Sequence, residues 1–491
     1  MFICNYILRP LPLLIATYAT VCILWIVFAN SVAANVIADA YNEQSLAVLN
    51  WAFQGHRLLP LEHYLELWHD ITTAVLIATM LHLIIVLFIA GSERKYSSLL
   101  GNSTKPDPRI NFVLIVFSAA FLALTALSSM RGDYPGYLGE WMAVLGGRDP
   151  WLGTRNAYGP LFNALSPLVW INPLANKLFF AFSYLVYMIW LVKDFAPRRG
   201  FSALSRPWLG LWLLNPFPWV EIAYFGYFDV LVALACVAAV HSMIDRKDGI
   251  SGTCLGLGIL LKYMPIVILP FLVFGQRRLR FRLISFCGGV VIFGLAVSIL
   301  IWGMSTFAPI AFAATRYSHW SIYDALAGTH SLRFLSDSSN DDPFVWLERP
   351  LLVIFGLGML VWCVLRRTGP ALSAVLALSV TLLFYRAGYI NYQMLPFLLV
   401  LYWVFSEWQQ LVEHPILSAV VSGYFGLLAI LEFAQWGVFL PKFTTEDPLY
   451  ISIVMLTFLL GCAFLLVLVQ FSAGSHYAKI GLGRDDPKRL E

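Results

Sequence analysis

Runs such as LLIATYATVCILWIVFA and NFVLIVFSAAFLALTAL recur along this 491-residue chain, with few charges to interrupt them. A helix needs about 20 consecutive apolar residues to cross the hydrocarbon core of a bilayer. In that medium backbone polar groups must be satisfied within the protein, so only helices and closed barrels span it. A barrel strand alternates apolar and polar side chains, and these runs do not alternate. The chain therefore reads as an all-α integral membrane protein, a polytopic bundle of roughly 12–14 transmembrane helices. Composition agrees. Apolar residues make up 59% of the chain and charged residues 12%, against about 25% charged in an ordinary soluble domain.

The placement of charge sets the topology. Lys and Arg cluster at 91–109, 193–206, 245–249, 276–282, 366–367 and in the tail after His476. The excess of positive residues in cytoplasmic loops places all of these on the inner side. One assignment satisfies every cluster. It has helices near 11–29, 71–91, 110–129, 175–192, 203–215 and 229–244, a broken pair within 251–275, then 283–302, 350–365, 371–385, 393–410, 415–435 and 450–470. The first of these is expected to be an uncleaved span, although NSVAAN behind it resembles a cleavage site. Three regions follow: N-terminal helices with a basic loop at 1–109, a transmembrane core at 110–410, and C-terminal helices with a tail at 411–491. The seven cysteines are scattered and suggest neither a disulfide framework nor a metal cluster. Nothing in the charge pattern points to nucleic acid.

The broken pair follows from parity. A straight helix through 251–275 would carry QRRLRFR to the outside. Two half-spans meeting at KYMP, with Lys262 and Pro265, restore it, and proline interrupts a helix. Half-helices at membrane depth must line protein or a water-filled cavity. The long loops, 130–174 and 303–349, then fall outside. Residues 131–160, RGDYPGYLGEWMAVLGGRDPWLGTRNAYGP, gather three arginines, three acids and five aromatics in one short stretch.

That order of elements resembles the first large extracytoplasmic loop of the GT-C superfamily of membrane glycosyltransferases. The likeness is to the bacterial mannosyltransferase-like branch that uses polyprenyl-phosphate sugars. There a helix-exit Asp-x-x-x-Tyr precedes an amphipathic helix, a turn and a Tyr-Pro-Pro-like element. LLNPFPWVEIAYFGYFDVLVALACVAAV is similar to the family's Asn-Pro helix end and Gly-x-x-Asp helix start. GTCLGLGILLKYMPIVILPFLVF is similar to its Lys-x-x-Pro hairpin, and FYRAGYINYQMLPFLLVL to a polar approach to a Leu-Pro helix. The resemblance covers roughly 110–400 and departs from the family before Asp133, where three spans stand in place of the usual one.

The resemblance implies an inverting transfer of a mannose-like sugar from a polyprenyl-phosphate donor to a lipid or glycan acceptor, on the extracytoplasmic face of the cell membrane. Such a transfer needs a base for the acceptor hydroxyl, tolerance of an oxocarbenium-like anomeric carbon, and donors that meet the charge of the departing phosphate. Asp133, at a helix exit, is the expected base. Arg386 and then Lys262 are the expected phosphate contacts, since arginine presents a planar fork suited to phosphate oxygens. Arg131, Tyr134, Tyr137, Tyr158, Asp229, Arg316 and His319 complete the expected substrate-binding set. No cofactor and no metal are expected, because no adjacent Asp-Asp pair follows the first helix-exit acid.

Each residue also has a purely structural reading. Asp133 and Asp229 can cap helix N-termini. Asp149 in GRDPW can form a turn before proline. Lys262 and Arg386 can snorkel to an interface, His319 and His330 can be ordinary loop histidines, and the tyrosines and tryptophans can form an interfacial belt. A transporter or flippase of lipid-linked saccharides is the competing function. Transporters favour broken helices in matched halves, and the break at Lys262 has no evident counterpart in the sequence.

Overall fold

A computed structural model describes residues 108–128, 133–152, 157–198, 212–213, 215–274, 279–315, 321–327, 345–407, 415–433 and 448–474. The expected spans at 11–29 and 71–91, most of 203–215, and Arg131, Arg316, His319 and His330 lie outside these residues. The described residues form helices and turns, joined by isolated bridge contacts such as Tyr158 with Lys262. Among the described residues four helical stretches are long and apolar enough to cross a bilayer: Ala175–Phe195, Phe281–Ala313, Glu348–Arg366 and Val454–Ser472. The chain is an all-α polytopic membrane protein.

Its polarity is arranged for lipid. The Phe281–Trp302 helix leaves Phe286, Ile292, Phe293, Leu300 and Ile301 exposed, side chains that water would drive inward. The Met394–Ser406 helix, by contrast, is apolar and buried on all sides, as befits a helix at the bundle centre. Pro370–Phe384 packs against it on one side and Asp229–Ile244 on another. Prolines open several elements, at Pro135, Pro160, Pro216 and Pro370, where a missing N–H removes no helical bond.

Two interruptions position the site. The first lies where charge parity requires it. Asp248–Leu261 ends on Lys262, whose backbone is extended (φ −156°, ψ 132°). A 3-10 turn, Met264–Ile268, with Pro265 in its first turn, then leads into Leu269–Phe274. The second interruption is a helical segment where the sequence suggests only an outer connection. Pro216–Tyr224 is helical, its second half in π-helical turns, and it bends by 117° into Asp229–Ile244. Gly226 turns the corner with φ +75°, a conformation costly to residues with a Cβ.

Candidate active site

The two interruptions face each other. Asp229, the first residue of its helix, is buried, and its carboxylate accepts from the Lys262 ammonium (Nζ to Oδ1, 2.5 Å). Its second oxygen accepts from Asn391 Nδ2 at 3.3 Å. Asn391 sits in a single 3-10 turn, Ile390–Gln393, that feeds the central Met394–Ser406 helix. Its neighbour Tyr392 places its ring 4.0 Å below the Lys262 nitrogen, within cation–π range. Three remote stretches of chain thus meet at one buried charge pair. Lys262 does not snorkel.

The aromatic-rich loop closes over this pair. Tyr158 and Lys262 form an antiparallel bridge, and the Gly159 N–H donates to the Leu261 carbonyl at 2.9 Å. Glycine is required here, since a Cβ at 159 would collide with the Leu260 carbonyl. The Tyr158 ring leans on Phe162, Phe228 and Tyr137, with centroids 4.8, 5.0 and 5.2 Å away. Upstream, Asp149 Oδ1 accepts from the Trp151 backbone N–H at 2.9 Å, so this acid forms a turn as its sequence context suggests.

Asp133 stands immediately before the short helix Tyr134–Leu145, and its side chain makes no capping bond to that helix. It is exposed. Four residues on, Tyr137 is buried beneath it. Burial pushes the Tyr137 phenol well above its ordinary pKa, and Tyr158 and the carboxylates of Asp133 and Asp229 push it further. Tyr227 is raised in the same way, by burial and then by Asp133. The accessible carboxylate and the buried one therefore act on a common phenol. Tyr134 points elsewhere. It is fully buried, donates to the Pro173 carbonyl at 2.8 Å and accepts from the Lys177 N–H at 3.1 Å.

Arg386 is buried and bound to Glu348. Its Nε and Nη2 both lie 2.5 Å from Glu348 Oε2, and its backbone N–H reaches Oε1 at 3.2 Å. Glu348 opens the helix Glu348–Arg366. Tyr323 lies against the pair, its hydroxyl donating to the Phe384 carbonyl at 2.8 Å.

The structure thus brings together Asp229, Lys262, Tyr137 and Tyr158 from the expected set, with Asp133 at their approach. It holds Arg386 on the same connection as Asn391, five residues apart in sequence. Asn391, Tyr392, Tyr227, Glu348 and Lys177 join without having been singled out in the sequence. INYQ stands just before the Leu-Pro helix, so its position was visible, but its partner was not. Among the described residues no three His, Cys, Asp or Glu side chains converge as a metal site requires.

Such an arrangement offers an accessible carboxylate to take a proton, aromatic faces to hold a ring, and buried cations to meet an anion. Residues 156–388 match the family model of glycosyltransferase family 87. The matched segment includes Tyr158, Asp229, Lys262, Glu348 and Arg386, and begins beyond Asp133. The match supports a glycosyltransferase and is consistent with a GT-C-type membrane enzyme. No curated protein matches the chain.

Proposed function

We propose that this membrane protein transfers a mannose-like sugar from a polyprenyl-phosphate donor to a lipid or glycan acceptor, with inversion, on the extracytoplasmic face of the cell membrane. The observation that carries this reading is the buried Asp229–Lys262 pair, bridged at Lys262 by Tyr158, whose ring packs on Tyr137 four residues beyond the exposed Asp133. An acceptor hydroxyl at Asp133 loses its proton to the carboxylate as its oxygen attacks the anomeric carbon. The bond from that carbon to the phosphate oxygen breaks on the opposite face, and its electron pair leaves with the phosphate. Lys262 and Arg386 are the cations that meet the developing charge, each orientated by its carboxylate partner. Tyr158 supplies a half-exposed ring for the sugar face.

Purified protein supplied with polyprenyl-phosphate mannose and candidate acceptors tests this, with Asp133→Asn as the comparison. A positioned base contributes about 10²–10⁴-fold, so transfer by Asp133→Asn should drop by that order while the fold persists. Undiminished transfer by the variant removes Asp133 from the mechanism.

The 117° bend between Pro216–Tyr224 and Asp229–Ile244 favours a second reading. Together with the break at Lys262 it makes two interrupted helices facing each other, a feature of transporters. Translocation of a lipid-linked saccharide across proteoliposomes, without any transfer to acceptor, would select that reading over the first.

A further inference from the structure

Lys177 is fully buried near the start of the Ala175–Trp190 helix. Burying an ammonium is expensive unless hydrogen bonds compensate it, and here the compensation comes from particular places. The Lys177 ammonium donates to Ser128 Oγ at 2.7 Å and to the Tyr224 carbonyl at 2.5 Å. Ser128 in turn donates to the Ala223 carbonyl at 3.1 Å. The Lys177 backbone N–H donates to the Tyr134 hydroxyl. Beneath the corner, a Cβ at Gly226 would lie 2.7 Å from Lys177 Cγ and 3.0 Å from the Tyr134 ring.

These contacts fall on both sides of Asp133 and just ahead of Asp229. Ser128 and Tyr134 flank Asp133 in the chain. Tyr224 and Gly226 precede Asp229. One side chain therefore ties the segment that carries the accessible carboxylate to the bend that carries the buried one. We propose that Lys177 is a positioning residue that fixes the placement of Asp133 relative to the Asp229–Lys262 pair, and so the distance over which a sugar must pass from phosphate to acceptor. This rests on the proposed transfer reaction and adds a residue to it. Lys177 does not touch the substrate. It acts through the two segments it joins, and misplacement of reacting groups by about 1 Å is enough to cost on the order of 10²-fold in rate.

The test is transfer by Lys177→Met, Lys177→Arg and Ser128→Val, alone and combined with Asp133→Asn. Methionine fills a similar volume without the charge. Expected for Lys177→Met is a kcat lower by about 10- to 100-fold, with the donor KM unchanged within about twofold, and partial recovery in Lys177→Arg. In the Asp133→Asn background the same substitution should lower the residual rate no further, because the group it positions is already lost. A purely structural lysine would instead lower the melting temperature in both backgrounds and leave kcat per folded molecule unchanged; that result, or an additive effect in the double variant, overturns the proposal. Should Lys177→Met fail to fold, Ser128→Val removes one of the ammonium's acceptors and must show the same loss of kcat and the same non-additivity. An Asp133→Asn protein with full activity would instead sink the base assignment, and full activity in both it and Lys177→Met would sink both.

Discussion

Asp229 occupies the first turn of its helix, where a carboxylate ordinarily answers the helix dipole, yet it is turned on Lys262, 33 residues away, at 2.5 Å. Both side chains are almost wholly buried. Removing one partner of a buried pair strands the other charge, at about 3–5 kcal/mol, whereas replacing both with neutral groups of similar size is often tolerated. Lys262→Met should therefore lower stability by about that amount. The double variant Asp229→Asn/Lys262→Met should recover most of it, and neither protein should transfer sugar efficiently. Thermal unfolding in detergent, read beside turnover, separates the two effects. If the double variant regains activity along with stability, the pair is a structural device and has no part in the reaction.

The Arg386–Glu348 pair leads to a different expectation, because here the arginine is the proposed phosphate contact. Arg386→Ala alone would leave Glu348 as an uncompensated buried carboxylate, so the informative protein is Arg386→Ala/Glu348→Gln. Hydrogen bonds to charged groups contribute about 1.5–3 kcal/mol, roughly 10- to 100-fold in an equilibrium constant. The donor KM should rise by that factor while the acceptor KM moves less than about twofold. Equal changes in both constants would remove Arg386 from the phosphate site.

Much of this was legible in the sequence, and the remainder was hidden for identifiable reasons. Among the described residues, apolar run length located spans such as Ala175–Phe195, Phe281–Ala313, Glu348–Arg366 and Val454–Ser472, and charge parity with Pro265 located the break at Lys262, since both signals are local. The bend at 225–228 was not legible. Pro216–Tyr224 is short, starts with two prolines, and winds partly as a π-helix, so its residues lack the 3.6 period that marks a helix. The partners were hidden too. Asn391 reaches Asp229 across 162 positions and Arg386 reaches Glu348 across 38, and no periodicity links such pairs. Lys177 in LANKLFF looks like an ordinary interfacial lysine at the mouth of a span. Only the fold shows that its ammonium turns inward.

The phenol of Tyr137 gives a pH dependence. Burial and the neighbouring Tyr158, Asp133 and Asp229 raise its pKa in the folded protein well above the ordinary 10.0. The folded state thus holds this proton more tightly than the unfolded chain, and the linked stability is fully present below pH 10.0. Above that value the unfolded chain ionises first, so stability falls as pH rises towards the folded pKa. Tyr137→Phe should leave unfolding near neutral pH little changed and flatten part of the alkaline decline. Melting temperatures of both proteins from neutral pH to about pH 11 provide the check. Parallel alkaline slopes would show that Tyr137 ionises as freely in the folded protein as in the unfolded chain.

Two glycines of the aromatic-rich loop should respond to alanine with opposite signs. Gly159 donates its N–H to Leu261 beside the Tyr158–Lys262 bridge, and a Cβ there meets the Leu260 carbonyl, a backbone atom that cannot rotate away. Overpacking of this kind costs about 1–3 kcal/mol, and the adjustment must push Tyr158 away from Lys262. Gly159→Ala should accordingly lose both stability and transfer. Gly136 lies inside the Tyr134–Leu145 helix with nothing within 4 Å of the added Cβ. Alanine in a helix interior is favoured over glycine by about 0.5–1 kcal/mol, so Gly136→Ala should hold or raise the melting temperature and leave turnover intact. The contrast isolates the bridge from the loop as a whole. If both substitutions behave alike, the closure of the loop onto Lys262 does not control the site.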